Sequence, residues 1–114
     1  MKLVEIAKFT NKVAAMSAFY RQLLGTEPVA QSPDMAIFMS GETKIFIHKI
    51  YEQGPDDLPP ENHIAFAVED VDAACAQLQT QGLTLEISPR DFYWGRSAYL
   101  RDPDGQLIEI TTAK

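Results

Sequence analysis

An α+β fold, with a run of strand, helix and three strands given twice, is predicted by three observations on this 114-residue chain. Its make-up, 46% hydrophobic and 23% charged, is that of one globular domain able to bury a core. An internal repeat lays "EIAKFTNKVAAMSAFYRQLLG" (5–25) over "HIAFAVEDVDAACAQLQTQG" (63–82), so that Ile6 meets Ile64, Ala7 meets Ala65, Val13 meets Val71, Ala15 meets Ala73 and Ala18 meets Ala76; a repeat of this kind marks a duplicated structural unit. Three short segments of strand character follow each copy.

Each copy opens on an alternating strand and passes a polar residue able to cap a helix, Thr10 or Asn11 in the first and Asp70 in the second. The first helix carries Met16, Phe19, Tyr20, Leu23 and Leu24 at helical spacing, the second Val71, Ala74, Cys75 and Leu78. Both stop at a glycine, Gly25 or Gly82, the residue that best accepts the left-handed C-terminal conformation. The first helix is followed by "EPVAQ", "MAIFMS" and "KIFIHKI", separated by the turn-prone "SPD" and "GET". The second is followed by "LTLEIS", "RSAYLR" and "QLIEITT", separated by "PRDFYWG" and "DPDG". A Pro-rich, acidic stretch joins the copies, dividing the chain into module 1 (1–50), a linker (51–61) and module 2 (62–114). Half of this chain buries too little surface to be stable by itself, so the modules must pack on each other or on those of a second chain.

Neighbouring side chains on a strand point to opposite faces. In the first strand Val4 and Ile6 share one face and Glu5, Ala7 and Phe9 the other; in the strand opening the second copy Ile64, Phe66 and Val68 oppose His63, Ala65 and Ala67; in the last strand Ile108 and Ile110 oppose Leu107, Glu109 and Thr111. The large aliphatic faces are expected to meet the helices. Glu5, His63 and Glu109 are left on the opposite faces, and an unpaired buried carboxylate there is very costly. Hydrogen bonds from neighbouring strands are one solution. A shared divalent cation is the other, and a mixed oxygen and nitrogen donor set without thiolate suits Mn, Fe, Co, Ni or Zn.

The formal charge of -6 argues against nucleic acid or an anionic membrane as partner. No apolar run approaches the roughly 18 residues needed to span a bilayer, and the start, "MKLVEIAKFTN", lacks the apolar stretch of a secretory signal, so a cytoplasmic location is expected. The one cysteine, Cys75, sits on the apolar stripe of the second helix and reads as core rather than as a reactive thiol.

With "FYRQLLG" after the first helix, "HIAFAVEDVDAA" at the second copy and the turn "DPDG" ahead of "IEI", nearly the whole chain resembles the vicinal oxygen chelate superfamily: glyoxalases, bleomycin-resistance proteins, metal-dependent fosfomycin-resistance enzymes and extradiol dioxygenases. The resemblance implies two tandem βαβββ modules forming a cup-shaped mixed sheet around a divalent metal, with the helices on the outer face. It implies His63 and Glu109 as the second module's metal ligands and Glu5 as the ligand from the first strand, an assignment that the sorting of faces favours over Val4. A fourth ligand of glyoxalase-type members falls here on Ile45 or Phe46, where the chain departs from that pattern, and His48 is the nearby substitute. Three protein ligands with open positions are what a metal-dependent catalyst needs.

If Arg101 and Leu107 close the "DPDGQ" hairpin as opposed residues, Tyr99 lies opposite Glu109. Its phenol then orients an oxyanion or donates a proton, or else fills the sheet as an ordinary aromatic. Ser97 follows on the same face, Phe92, Tyr93 and Trp94 offer aromatic surface in a loop, and Arg96 offers a cation for a carboxylate or phosphonate. Tyr99, Ser97, Trp94, Phe92, Arg96 and His48 are therefore the candidate substrate-binding residues, and Glu109 and Tyr99 the candidate catalytic ones.

Two functions fit. The first is a metal-dependent, glyoxalase-like enzyme acting on a small oxygen-chelating substrate by isomerisation, lyase chemistry, epimerisation or thiol transfer, with Glu5 or Glu109 doubling as the base. Fosfomycin thiol transferases resemble the chain in ligand spacing and in Tyr99, but the sequence ends at Lys114 without their C-terminal arginine. The second is a non-catalytic, bleomycin-resistance-type protein that sequesters a cationic drug. Relatives of this length imply a homodimer, and the linker is long enough for modules to be exchanged between chains.

Overall fold

The computed structural model of the chain describes residues 1–112; Ala113 and Lys114, at the end of the expected second module, lie outside them. In order the elements are β1 (Lys2–Thr10), α1 (Val13–Leu24), β2 (Ala30–Ser32), β3 (Met35–Ser40), β4 (Thr43–Lys49), β5 (His63–Ala67), α2 (Val71–Thr80), β6 (Leu85–Phe92), β7 (Gly95–Arg101) and β8 (Leu107–Thr111). This is the α+β succession that the repeat predicts. Two compact units result, one of Ile6–Asn62 and one of Met1–Glu5 with the chain from His63 onward. The chain passes between the units twice, within β1 and just after the linker, between Asn62 and His63.

In the unit Ile6–Asn62 the strands β2, β3 and β4 pair antiparallel, with Ala36 opposite Ile47 and Phe38 opposite Ile45. These four side chains alternate onto the face that meets α1, where Val13, Met16, Tyr20 and Leu24 complete a core. Two expectations change here. Phe19 and Leu23, set above on the apolar helical stripe, are 56% and 63% exposed; they stand about a quarter-turn from the Val13, Tyr20 and Leu24 line that the sheet covers. The helix is also capped by neither Thr10 nor Asn11: Lys12 takes the cap position without a side-chain bond. The Thr10 hydroxyl is instead held by the Lys12 N–H, at 2.9 Å, in the turn before the helix. Gly25 ends α1 in the left-handed conformation, φ 69°. The segment "EPVAQ" contributes only its last two residues to the short β2.

In the other unit the strand order is β5, β8, β7, β6. β5 and β8 run parallel, and the β8–β7 and β7–β6 pairs are antiparallel. Asp70 caps α2 as expected, its carboxylate accepting from the Ala73 N–H at 3.0 Å. Val71 and Cys75 on α2 pack with Ala98, Leu100 and Ile110, and Phe66, Val68, Ala74, Leu78, Leu85 and Ile108 surround them. The aliphatic faces thus meet the helix. β6 extends through "PRDF", read above as part of a loop, so that only Tyr93 and Trp94 separate it from β7. Pro89 has no N–H to give the ladder, and the β6–β7 register shifts between Ile87 and Arg90. Among the described residues no helix is long and apolar enough to cross a membrane.

Candidate metal centre

The turn Asp102–Pro103–Asp104–Gly105 sets the register of this face. The Asp102 carboxylate accepts from the N–H groups of Asp104 (3.0 Å) and Gln106 (2.9 Å), and Gly105 takes φ 85°, a conformation glycine reaches without strain. The hairpin closes with Arg101 opposite Leu107, which places Tyr99 opposite Glu109 and Ser97 opposite Thr111. A slip of one residue would turn all of them to the helix side. On the other side of β8, parallel pairing sets Ala65 beside Glu109 and His63 beside Leu107. The small Ala65 side chain leaves room next to the carboxylate.

Glu5, His63 and Glu109 converge. Each offers one ligand atom, and these atoms lie within 4.8 Å of one another. All three residues are buried, exposed by 2%, 8% and 0%. Nε2 of His63 stands 3.4 Å from Oε1 of Glu109. Two negative charges 4.8 Å apart repel by roughly 3 kcal/mol at an effective dielectric of about 20, and more at shorter range. The donors fit a divalent cation: two carboxylate oxygens and one imidazole nitrogen, close enough to share one ion and shielded from water.

Further partners of Glu109 come from β7. The Ser97 hydroxyl donates to Oε2 of Glu109 at 2.8 Å, lies 2.9 Å from the Thr111 hydroxyl, and accepts from the Trp94 indole N–H at 3.0 Å. Tyr99 is buried with its ring edge-on to His63 at 6.2 Å. Burial, then the charge of Glu109 and a hydrogen bond to it, push the Tyr99 phenol far above its ordinary value; Glu5 adds to the rise and Arg90 opposes it. The phenol is therefore a hydrogen-bond donor at neutral pH, suited to holding an oxygen rather than to releasing its proton.

Phe92 and Trp94 stack with ring centroids 4.5 Å apart and planes 3° from parallel, and Phe92 meets Tyr99 edge-on at 6.2 Å. Tyr93 projects into solvent. Arg96 is placed elsewhere. It alternates with Ser97 and points to the helix side, where it forms a two-pronged ion pair with Asp72 of α2 (2.6 and 3.0 Å) and a third contact with Asp91 (3.0 Å). That pair holds the Asp72 carboxyl below its ordinary value. His48 belongs to the unit Ile6–Asn62, where its half-buried ring sits among Phe9, Phe46 and Tyr51 at 5.5–6.0 Å and its Nδ1 donates to the Lys49 carbonyl at 2.7 Å.

Two residues on the carboxylate face stand outside the candidate site residues named from the sequence. Thr111 was signalled by its two-residue step from Glu109. Arg90 was not, because simple alternation groups it with Ser88. The register shift at Pro89 sets it opposite Ser97, with its guanidinium 4.6 Å above the Phe92 ring.

Known proteins resemble the chain in sequence and in fold. The chain is 33% identical over 125 aligned positions to the uncharacterized protein YraH of Bacillus subtilis, covering 96% of this chain and 97% of that one. It is 36% identical over 63 residues to the lactoylglutathione lyase of Pseudomonas aeruginosa, covering 55% of this chain and 35% of the lyase. Among solved structures, a hypothetical protein from Bacillus halodurans superposes with a TM-score of 0.78 at 20% identity, covering 99% of this chain and 94% of that one. Methylmalonyl-CoA epimerase from Mycobacterium tuberculosis superposes with a TM-score of 0.75, also at 20% identity, covering 99% and 88%. Both share the fold. A family model matches residues 2–110, and the chain belongs to the family it describes, the Glyoxalase/Bleomycin resistance protein/Dioxygenase superfamily.

Proposed function

We propose that the chain is a metal-dependent, glyoxalase-like enzyme that acts on a small substrate presenting two adjacent oxygens. The observation that carries this reading is the meeting of Glu5, His63 and Glu109, all buried, with ligand atoms within 4.8 Å of one another. These residues would hold a divalent ion of the Mn, Fe, Co, Ni or Zn class, leaving positions open for substrate. When bound, the ion supplies Lewis-acid polarisation of the substrate oxygens. The rest of the chemistry falls to the chain. Glu109, or Glu5, would move a proton at the substrate carbon beside one of the two oxygens. Tyr99, kept protonated by burial and by Glu109, donates a hydrogen bond to that carboxylate or to a developing oxyanion. The stacked Phe92 and Trp94 rings offer an apolar wall for the substrate. Isomerisation, lyase, epimerisation and thiol-transfer reactions all use such a proton transfer or oxyanion, and likeness to a lactoylglutathione lyase over half the chain supports the lyase or isomerase end of that range. We place residues 1–114 in one domain that acts as a cytoplasmic homodimer.

The test is metal analysis of protein purified without chelator, for the wild type and for His63→Ala and Glu109→Gln. Stoichiometric metal that both substitutions abolish supports the enzyme. Metal-free wild type that binds a cationic aromatic drug at micromolar concentration replaces this reading with the sequestering one.

A further inference from the structure

Trp94, Ser97 and Thr111 lie outside the ligand set, yet their hydrogen bonds end on it. We propose that they form a positioning relay for Glu109, in which Ser97 holds one carboxylate oxygen so that the other is presented to the cation, and the Trp94 indole sets the direction of the Ser97 hydroxyl. The inference rests on the metal-binding reading of Glu5, His63 and Glu109.

Donor and acceptor valence sets the order of these bonds. An indole N–H only donates, so at 3.0 Å it occupies an acceptor site on Ser97 and leaves the hydroxyl proton to be placed elsewhere. That proton has two possible acceptors, Glu109 Oε2 at 2.8 Å and Thr111 Oγ1 at 2.9 Å. The carboxylate is the stronger, because a hydrogen bond to a charged group is roughly twice as strong as a neutral one. The Thr111 hydroxyl then donates to the remaining acceptor site on Ser97. One donated and two accepted bonds exhaust the serine hydroxyl. Ser97, Glu109 and Thr111 are each 0% exposed, so water does not compete for these sites.

The consequence is a choice between the two oxygens of Glu109. Oε2 is engaged by Ser97, and Oε1 faces His63 Nε2 at 3.4 Å. The relay is part of the sheet itself, since Ser97 pairs with Thr111 and Tyr99 with Glu109 in one antiparallel ladder. Its far end is held as firmly. The Trp94 ring is stacked on Phe92, and the turn behind it closes on Gly95 at φ 138°.

The test uses zinc, whose filled d shell does not quench fluorescence by redox chemistry, and the chain's one tryptophan. Zinc is titrated by calorimetry and by Trp94 emission into wild type, Ser97→Ala, Trp94→Phe, the double variant and Glu109→Gln. Wild type should bind zinc with a change in Trp94 emission. Ser97→Ala, with native circular dichroism and cooperative unfolding, should bind roughly 10- to 100-fold more weakly, the range found when groups orienting a metal ligand are removed, and its emission should no longer respond. Trp94→Phe should bind a few-fold more weakly, and the double variant no more weakly than Ser97→Ala, because the chain passes through the serine. Wild-type affinity in Ser97→Ala, with binding abolished in Glu109→Gln, overturns the relay and leaves the metal site standing. Additive losses in the double variant overturn the order of the relay. Absence of binding by wild type of zinc, and of nickel and manganese titrated by the same calorimetry, overturns both readings. Should Ser97→Ala fail to fold, Trp94→Phe carries the test, and unchanged affinity there refutes the proposal.

Discussion

Loading the Glu5, His63 and Glu109 group with a divalent ion should raise the unfolding temperature of the wild-type chain by about 10 °C. The structural source is the carboxylate pair, whose ligand atoms lie within 4.8 Å of one another. At that distance two charges repel by roughly 3 kcal/mol at an effective dielectric of about 20. A divalent ion held by these residues would offset this repulsion. At an ion concentration of about 100 times Kd the folded state gains about 2.7 kcal/mol, and a domain of this size shifts by about 4 °C per kcal/mol. Scanning calorimetry in EDTA and in excess zinc, nickel or manganese measures the shift. His63→Ala and Glu109→Gln should abolish it while leaving the EDTA transition cooperative. No shift in wild type for any of the three ions, or an equal shift in His63→Ala, would refute the reasoning.

Phe38 is fully buried between α1 and its sheet, so Phe38→Ala should lose about 3–5 kcal/mol in urea unfolding; a loss below about 1 kcal/mol would show that the core there collapses around the gap. Asp72 is held below its ordinary value by the Arg96 hydrogen bonds. A lowered folded value means that the contribution is present above the unfolded one and lost as pH falls through the folded one. The small stability difference expected between wild type and Asp72→Asn at neutral pH should therefore shrink below about pH 4, and a difference that persists in acid contradicts the ion pair. At Gly95, with φ 138°, an added Cβ would lie 2.6 Å from the Thr112 hydroxyl, so Gly95→Ala should cost roughly 1–3 kcal/mol and alter Trp94 emission; an unchanged melting temperature argues against that turn. Cys75, buried in the α2 core with its thiol value raised by burial and by Asp72, should react with a disulfide reagent only as fast as the chain unfolds.

Much of this was legible because it rests on local rules. Period-two alternation separated Ile108 and Ile110 from Glu109, and the "DPDG" turn carried its own register, so Tyr99 could be set opposite Glu109 from the hairpin alone. The Asp70 cap and the Val71, Ala74, Cys75 and Leu78 stripe were equally local. The misreadings have a different origin. Phe19 and Leu23 carry the same helical spacing as the partly buried Met16, Tyr20 and Leu24, and only the packing of α1 on its sheet shows that they stay outside. Thr10 has a capping side chain, but a turn with Lys12 takes it. Arg96 and Ser97 are neighbours with opposite roles, one drawn to Asp72 on α2 and the other to Glu109.

By itself the sequence determined the duplicated α+β succession, the identity of the hairpin that orients the last strand, and the face on which each of Glu5, His63 and Glu109 stands. Those are matters of periodicity and turn chemistry, which act over a few residues. Only the tertiary structure decided that the three donors meet within 4.8 Å, because they come from strands distant in the chain and alternation carries no information about separation in space. It also decided the hydrogen bonds that end on Glu109 and the placement of Arg90, which the shifted register at Pro89 turns to the carboxylate face. A β-bulge breaks the alternation from which a sequence is read, so its effect becomes visible only when the strands are paired.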